Sequence, residues 1–250
     1  MRAIIIGAGR GSRLMPTTEN APKCFAEIRG KRILDWTVEA LKGGGCTEIC
    51  FIGGYRIEAV KREYPGFVFR ENKDWENNNI LVSLMCAADL MDRPFVTSYS
   101  DILFTRDVVR GLVQSTDELA LGVDTDWREH YKPRTQHPPH DAEKVITKAG
   151  RVERVYRTIP YEDATGEFIG VARFGIDGGR RFRAFYERRK AEFWGRPYRE
   201  AATFQKAYLI HMFQDMIEQG HAFGHVDTPG NYREIDTQED MNLAQTLWKP

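Results

Sequence analysis

Long apolar runs, a charge imbalance and paired cysteines are all missing from this 250-residue chain. The N-terminal "MRAIIIGAGRG" is far too short an apolar run for a signal peptide or a spanning helix, so a cytoplasmic location is expected. Lys plus Arg and Asp plus Glu number 36 each, which excludes a global field drawing the chain to nucleic acid or an anionic membrane. Any anionic partner must be met by local charge. Cys24, Cys46, Cys50 and Cys86 form no CxxC pair, so free thiols in a reducing compartment are expected rather than disulfides or a zinc knot. His130, His137 and His140 lie in a segment stiffened by Pro138 and Pro139 with no cysteine to join them, and zinc is not expected there either. There is no repeat, low-complexity segment or clear linker, and one domain is expected.

What is present alternates between two periods. "AIII" (3–6), "EICFIGG" (48–54), "FVFREN" (67–72) and "PFVTSYSD" (94–101) are short β-branched or aromatic runs suited to buried strands. Between them, "ILDWTVEALK" (33–42) gathers Ile33, Trp36, Val38, Ala40 and Leu41 largely on one helical face before "GGG", and 80–91 also reads as a helix. Such alternation implies right-handed crossovers and a mainly parallel sheet of the α/β class. Beyond "LALGVD" (119–124), residues 127–145 are rich in charge, His and Pro and read as one long loop, a length typical of lids or binding loops. Strands are expected at 151–159, 166–175 and near "AFGHVD", helices at 182–194 and 203–220, and a strand end followed by a helix over 231–247. Phe193, Trp194 and Phe204 suit either the core or a homodimer face.

The stretch "IIIGAGRGSRLMPTTENAPK" (4–23) carries the chemistry. A dinucleotide loop requires GxGxxG running into a long helix, but the glycines are Gly7, Gly9 and Gly11, and Pro16 and Pro22 forbid a continuous helix. A GxxxxGK triphosphate loop is absent. The remaining option is a nest in which backbone amides of Gly7, Ala8, Gly9, Arg10, Gly11 and Ser12 curl around a triphosphate, with Arg10 and Arg13 neutralising phosphates and Lys23 returning one more cation.

The stretch "AIIIGAGRGSRLMPTTENAPKCFAEIRGKRILDWTVEAL" resembles the signature of the nucleotidyltransferase superfamily, of GT-A-like fold, which joins an NTP to a phosphorylated small molecule. "ENKDWENNNILVSLMCAADL" replaces the Gly-Thr-Ala loop of sugar-phosphate members and resembles the phosphocholine and phosphonoalkyl cytidylyltransferases, with Asn79 and Ser83 at the matching positions. "PKC" and "YSDI" resemble the phosphoglutamine cytidylyltransferase, and "GEFIG" the phosphonate-tailoring enzymes, so the likeness spans nearly the whole chain.

This resemblance implies a single Rossmann-like domain over 1–250, with a nucleotide-binding core at 1–123, an acceptor part at 124–235 and a C-terminal helix at 236–250. It implies transfer of CMP from CTP to a small phosphonate or phosphomonoester, with a sugar-1-phosphate nucleotidyltransferase or a nucleotide-binding protein without turnover as alternatives. Asp101, at a strand end, and Asp236 in "REID" are implied to hold Mg²⁺, although Thr237 and Asp240 also suit a helix cap beside Asp236. Lys23 is expected to contact the reacting phosphates and Arg13 the leaving pyrophosphate. Ala8 and Gly9 amides, with Asn72, Asn78, Asn79 and Ser83, are expected around the base or ribose, since amides offer donor and acceptor together. For the acceptor, Lys132 and Arg134 are expected at its phosphonate, Glu143 and Glu167 at an amine or hydroxyl, and Trp127 and Tyr131 against its alkyl part.

Overall fold

The computed structural model describes residues 1–249. Nine strands form its main sheet: β1 (Arg2–Gly7), β2 (Glu48–Gly53), β3 (Val68–Glu71), β4 (Phe95–Tyr99), β5 (Leu119–Asp124), β6 (Lys144–Lys148), β7 (Arg151–Val155), β8 (Gly166–Phe174) and β9 (Gly224–Thr228). β1 lies between β2 and β4, parallel to both, and β3 extends this parallel half. β8 turns the sheet mixed, pairing antiparallel with β4, β5 and β6. Ile4 and Ile6 face one core cluster, and Ala3 and Ile5 the other, so β1 is buried on both faces as its unbroken apolar run requires.

Helices cover both faces: α1 (Ile33–Gly43), α2 (Ile57–Glu63), α3 (Ile80–Met85), α4 (Arg106–Gln114), α5 (Trp127–Tyr131), α6 (Ile176–Phe193), α7 (Leu209–Glu218) and α8 (Gln238–Leu247). This is the α/β fold expected, a mixed sheet flanked by helices, and β1, β2, β4 and α1 fall where the periodicity puts them. Several expectations need correction. The 127–145 segment is not one loop: Trp127 and Tyr131, one helical turn apart, bury together against Ala142, Ile159 and Ala164 and so fold α5, and its last residues start β6. The 80–91 helix stops at Met85 and gives way to a tighter turn at Ala88–Leu90. α6 begins six residues early because the Glu118 carboxylate accepts from the Gly178 amide at 2.7 Å. Residues 203–220 divide into a turn at Phe204–Lys206 and α7. Phe204 is fully buried and belongs to the core, whereas Trp194 is exposed.

A second, two-stranded sheet pairs Ile102–Phe104 antiparallel with Tyr232–Glu234. It ties the chain after β4 to the segment before α8, and the Ile235 amide donates to the Asp101 carbonyl at 2.9 Å. That pairing positions the site.

Candidate active site

Where β1 ends, the chain leaves the sheet at the C-terminal edge of its parallel strands, the edge at which open α/β sheets bind ligands. Gly7 is packed so closely that a Cβ there would lie 2.7 Å from the Phe51 ring and 2.7 Å from Ser100 Oγ. Gly11 takes a left-handed φ of 69° and passes against the Lys23 side chain, where a Cβ would sit 2.8 Å from Cδ. The Thr18 hydroxyl donates to the Gly11 carbonyl at 2.9 Å and pins the loop.

The loop opens into a cavity of about 600 Å³. Gly7, Ala8, Gly9, Gly11, Ser12, Arg13, Lys23, Asn78, Asn79, Ser83, Asp101, Glu143, Glu167 and Asp236 line it, bringing together most of the residues singled out from the sequence. Lys23 is 8% exposed, and its ammonium donates to Asp101 Oδ2 at 2.7 Å and to Asp236 Oδ1. Burial opposes the charge, but the two carboxylates outweigh it and hold the Lys23 pKa above the ordinary lysine range. Burial pushes Asp236 the other way, yet Lys23 and then Arg13, whose guanidinium donates to Oδ2 at 2.5 Å, keep its pKa below the ordinary value. Asp236 immediately precedes the α8 cap, where the Thr237 hydroxyl accepts from the Asp240 amide and Asp240 Oδ2 accepts from the Thr237 amide at 2.8 Å. The cap and the site share one turn of backbone.

The asparagines divide. Asn78, Asn79 and Ser83 reach the cavity; Asn72 does not, because it is spent behind the wall, donating to Asn78 Oδ1 at 2.6 Å and to Ser83 Oγ at 2.9 Å. Asn79 also caps α3, accepting from the Ile80 amide. Arg10 does not line the cavity; its guanidinium lies 5.6 Å from the Tyr55 ring.

Four residues expected at the acceptor stand off the cavity wall. Lys132 is exposed just past the end of α5 and pairs with Glu129. The Arg134 guanidinium is turned inward to Asp240 at 2.7 Å and stacks on Tyr131 at 4.7 Å. Trp127 is fully buried, and the Tyr131 hydroxyl is held behind the wall, donating to Glu167 Oε1 at 2.6 Å. In their place, Arg157 is the lining cation, with Tyr99, Tyr208, His137 and Glu234 also on the wall. Glu234 sits two positions before Asp236 in "REID", a spacing that puts both on one side of an extended segment; Arg157 carries no comparable local signal. His137, dismissed from the sequence as a ligand, is 3% exposed and presents a ring nitrogen within 4.8 Å of carboxylate atoms on Glu234 and Asp236.

Burial raises the pKa of Glu143 and, with the charge of Glu234, pushes Glu167 up to about 8. Burial, followed by the neighbouring Asp236, also raises Glu234. The cavity therefore has Arg13 and Lys23 beside the glycine loop, two carboxylates already focused on Lys23, and Glu143 beside Arg157 on another part of the wall.

A mixed sheet with a glycine-rich loop after its first strand, and two carboxylates from separate segments converging on Lys23 beside that loop, is the architecture of a nucleotide-binding α/β protein. Residues 3–149 match the MobA-like NTP transferase domain, and the chain belongs to that family as a nucleotidyltransferase. It is 31% identical to the CTP:phosphoglutamine cytidylyltransferase of Campylobacter jejuni, covering 97% of this chain and 98% of the relative. To the choline-phosphate cytidylyltransferase of Streptococcus pneumoniae it is 31% identical, over 68% of this chain and 80% of the relative. Among solved structures, the inositol-1-phosphate CTP transferase from T. maritima superposes with a TM-score of 0.73 at 20% identity, over 100% of this chain and 98% of that one, which shows the shared fold.

Proposed function

We propose that this nucleotidyltransferase is a Mg²⁺-dependent cytidylyltransferase that moves CMP from CTP to a small acceptor bearing a phosphate or phosphonate. The observation that carries the reading is the convergence of Lys23, Arg13, Asp101 and Asp236 beside the glycine loop in one cavity. CTP as donor is supported by the relatives, named as a phosphoglutamine and a choline-phosphate cytidylyltransferase.

An acceptor phosphate or phosphonate oxygen is ionised at neutral pH, so no general base is required. It attacks the α-phosphorus; the new P–O bond forms as the bond to the bridging oxygen breaks, and pyrophosphate leaves with that electron pair. Two anions must approach closely, and a buried ammonium at Lys23 offsets their repulsion. Arg13, 61% exposed at the mouth, is placed to hold the leaving pyrophosphate. The carboxylates of Asp101 and Asp236, hard oxygen donors already converging on one cation, suit Mg²⁺, which when bound would neutralise the nucleotide phosphates as a Lewis acid. Among the described residues, no helix is long and apolar enough to cross a membrane.

The test is pyrophosphate release with Mg²⁺, comparing CTP, UTP, GTP, ATP and dTTP against aminoethylphosphonate, hydroxyethylphosphonate, phosphocholine, phosphoglutamine and glucose-1-phosphate. CTP turnover with a non-sugar acceptor is expected. Turnover confined to UTP or dTTP with the sugar phosphate sinks the reading.

A further inference from the structure

Residues 134–137 are laid across the first turn of α8. The Thr135 amide and hydroxyl and the Gln136 amide all donate to the Glu239 carboxylate, at 2.7, 2.7 and 2.9 Å. Arg134 Nε donates to Asp240 Oδ1 at 2.7 Å, in a pair whose side chains are 7% and 2% exposed. The other oxygen of Asp240, Oδ2, accepts from the amides of Asp236 at 3.1 Å and Thr237 at 2.8 Å and from the Thr237 hydroxyl. One buried carboxylate thus joins a guanidinium to the backbone of Asp236 itself. A residue earlier, the Ile235 amide is fixed to the Asp101 carbonyl at 2.9 Å. The remaining contacts of Arg134 stay within the same wall: Nη2 donates to His137 Nδ1 and lies 3.5 Å from Glu234 Oε2, and the guanidinium stacks on Tyr131.

We infer that Arg134 is a positioning residue for Asp236: through Asp240 it fixes the turn of backbone that presents the Asp236 carboxylate, and it does not bind the acceptor. This rests on the reading of Asp236 as a Mg²⁺ ligand. A ligating carboxylate must be held at a set position, and the groups that hold it govern metal affinity along with the ligand. A charge-assisted bond inside the wall is strong and directional enough for that task. Without the guanidinium, Asp240 loses its paired cation in a wall that already holds Glu234 and Asp236, and its grip on the two amides loosens. The two roles open to Arg134 differ in what they govern. A cation at the acceptor phosphonate sets the acceptor KM, whereas one acting through Asp240 sets the Mg²⁺ requirement.

The experiment uses the full chain. Amide hydrogen exchange, followed by NMR in the protein free of metal and nucleotide, is expected to show the Asp236 and Thr237 amides exchanging about tenfold faster in Arg134→Met, with Arg134→Lys in between. Pyrophosphate release at saturating CTP and acceptor, titrated with free Mg²⁺, is expected to need about tenfold more Mg²⁺ for half its maximal rate in Arg134→Met. The acceptor KM at saturating Mg²⁺ is expected to stay unchanged. Asp240→Asn should show both effects, and adding Arg134→Met to it should add nothing, because the two residues act through one contact. Leu112→Ala, at a fully buried position of α4 away from the cavity wall, lowers stability without touching this chain of bonds and should leave the Mg²⁺ requirement as it was. A raised acceptor KM in Arg134→Met, with exchange and Mg²⁺ requirement unchanged, overturns the inference and returns Arg134 to the acceptor. Equal changes in Leu112→Ala overturn it too, since they reduce the effect to general loss of stability. An unchanged Mg²⁺ requirement in Asp236→Asn overturns instead the metal reading beneath it, on which the exchange result does not depend.

Discussion

Lys23 holds a charge at a position where burial disfavours one, because Asp101 and Asp236 share it. Lys23→Met takes away that counter-charge and the cation proposed to face the reacting phosphates. We expect kcat for pyrophosphate release to fall by about 10²–10³-fold, the scale for losing one preorganised electrostatic group. Retention of half the activity would show that the ammonium serves only to neutralise the empty site. Glu167 gives a prediction of the other sign. Burial and Glu234 raise its carboxyl from 4.5 to about 8, so between those values the folded chain holds a proton that the unfolded chain has released. Its contribution to stability is complete below the unfolded pKa and is lost as pH rises through the folded one. Thermal melts of the ligand-free protein should fall between about pH 5 and about pH 8.5, and Glu167→Gln should flatten that slope. Parallel melting profiles for the two proteins would contradict it. "GEFIG" marks Glu167 as a strand residue of interest, but its sequence neighbours do not disclose its hydrogen bond, which depends on Tyr131 arriving from α5.

Among the elements, β1, β2, β4 and α1 were legible because each announces itself through its own period and buries the face that period defines. α2 and α4 were missed; they span only seven and nine residues, too short for a local pattern to fix a helix without packing onto the sheet. The pairing of Ile102–Phe104 with Tyr232–Glu234 was also beyond reach, since nothing local to either segment specifies a partner so distant in the chain. Yet this pairing carries Asp236 to Asp101. α8 begins at the same place, and its cap was readable from "DTQED". Thr237→Ala removes the hydroxyl that accepts from the Asp240 amide and donates to Asp240 Oδ2 at 2.9 Å; the expected cost is about 1 kcal/mol in urea unfolding. An unchanged midpoint would mean that the Asp240 carboxylate alone holds the turn.

For the molecule as a whole, two halves of unlike construction close on one cavity. The parallel half supplies the glycine loop and Asp101; the antiparallel half, through β8 and the segment after β7, supplies Glu167 and Arg157. Chelation by EDTA should abolish pyrophosphate release, and added Mg²⁺ should restore it, because Asp101 and Asp236 offer the oxygen ligands that ion takes. Full turnover in EDTA would leave Lys23 and Arg13 to neutralise the phosphates alone. The core between the halves makes a separate forecast: Phe213 of α7 is fully buried, with ring centroids 5.7 Å from Phe168 and 5.4 Å from Phe223. Phe213→Ala should cost about 3–5 kcal/mol in unfolding free energy. A loss under about 1 kcal/mol would show that the surrounding rings collapse into the space.

By itself the sequence determined the glycine loop of this protein and the two cations beside it. The glycines, Arg13 and Lys23 follow one another closely along the chain, and their chemistry is confined to a loop whose backbone they themselves dictate. Tertiary structure decided most of the proposed acceptor end, where of the residues the sequence suggested only Glu143 and Glu167 line the cavity. It turned Arg134, Trp127 and Tyr131 inward, left Lys132 in solvent and brought Arg157 to the wall. Those outcomes rest on which side chains bury against which, a contest between segments far apart in the chain that no local spacing records.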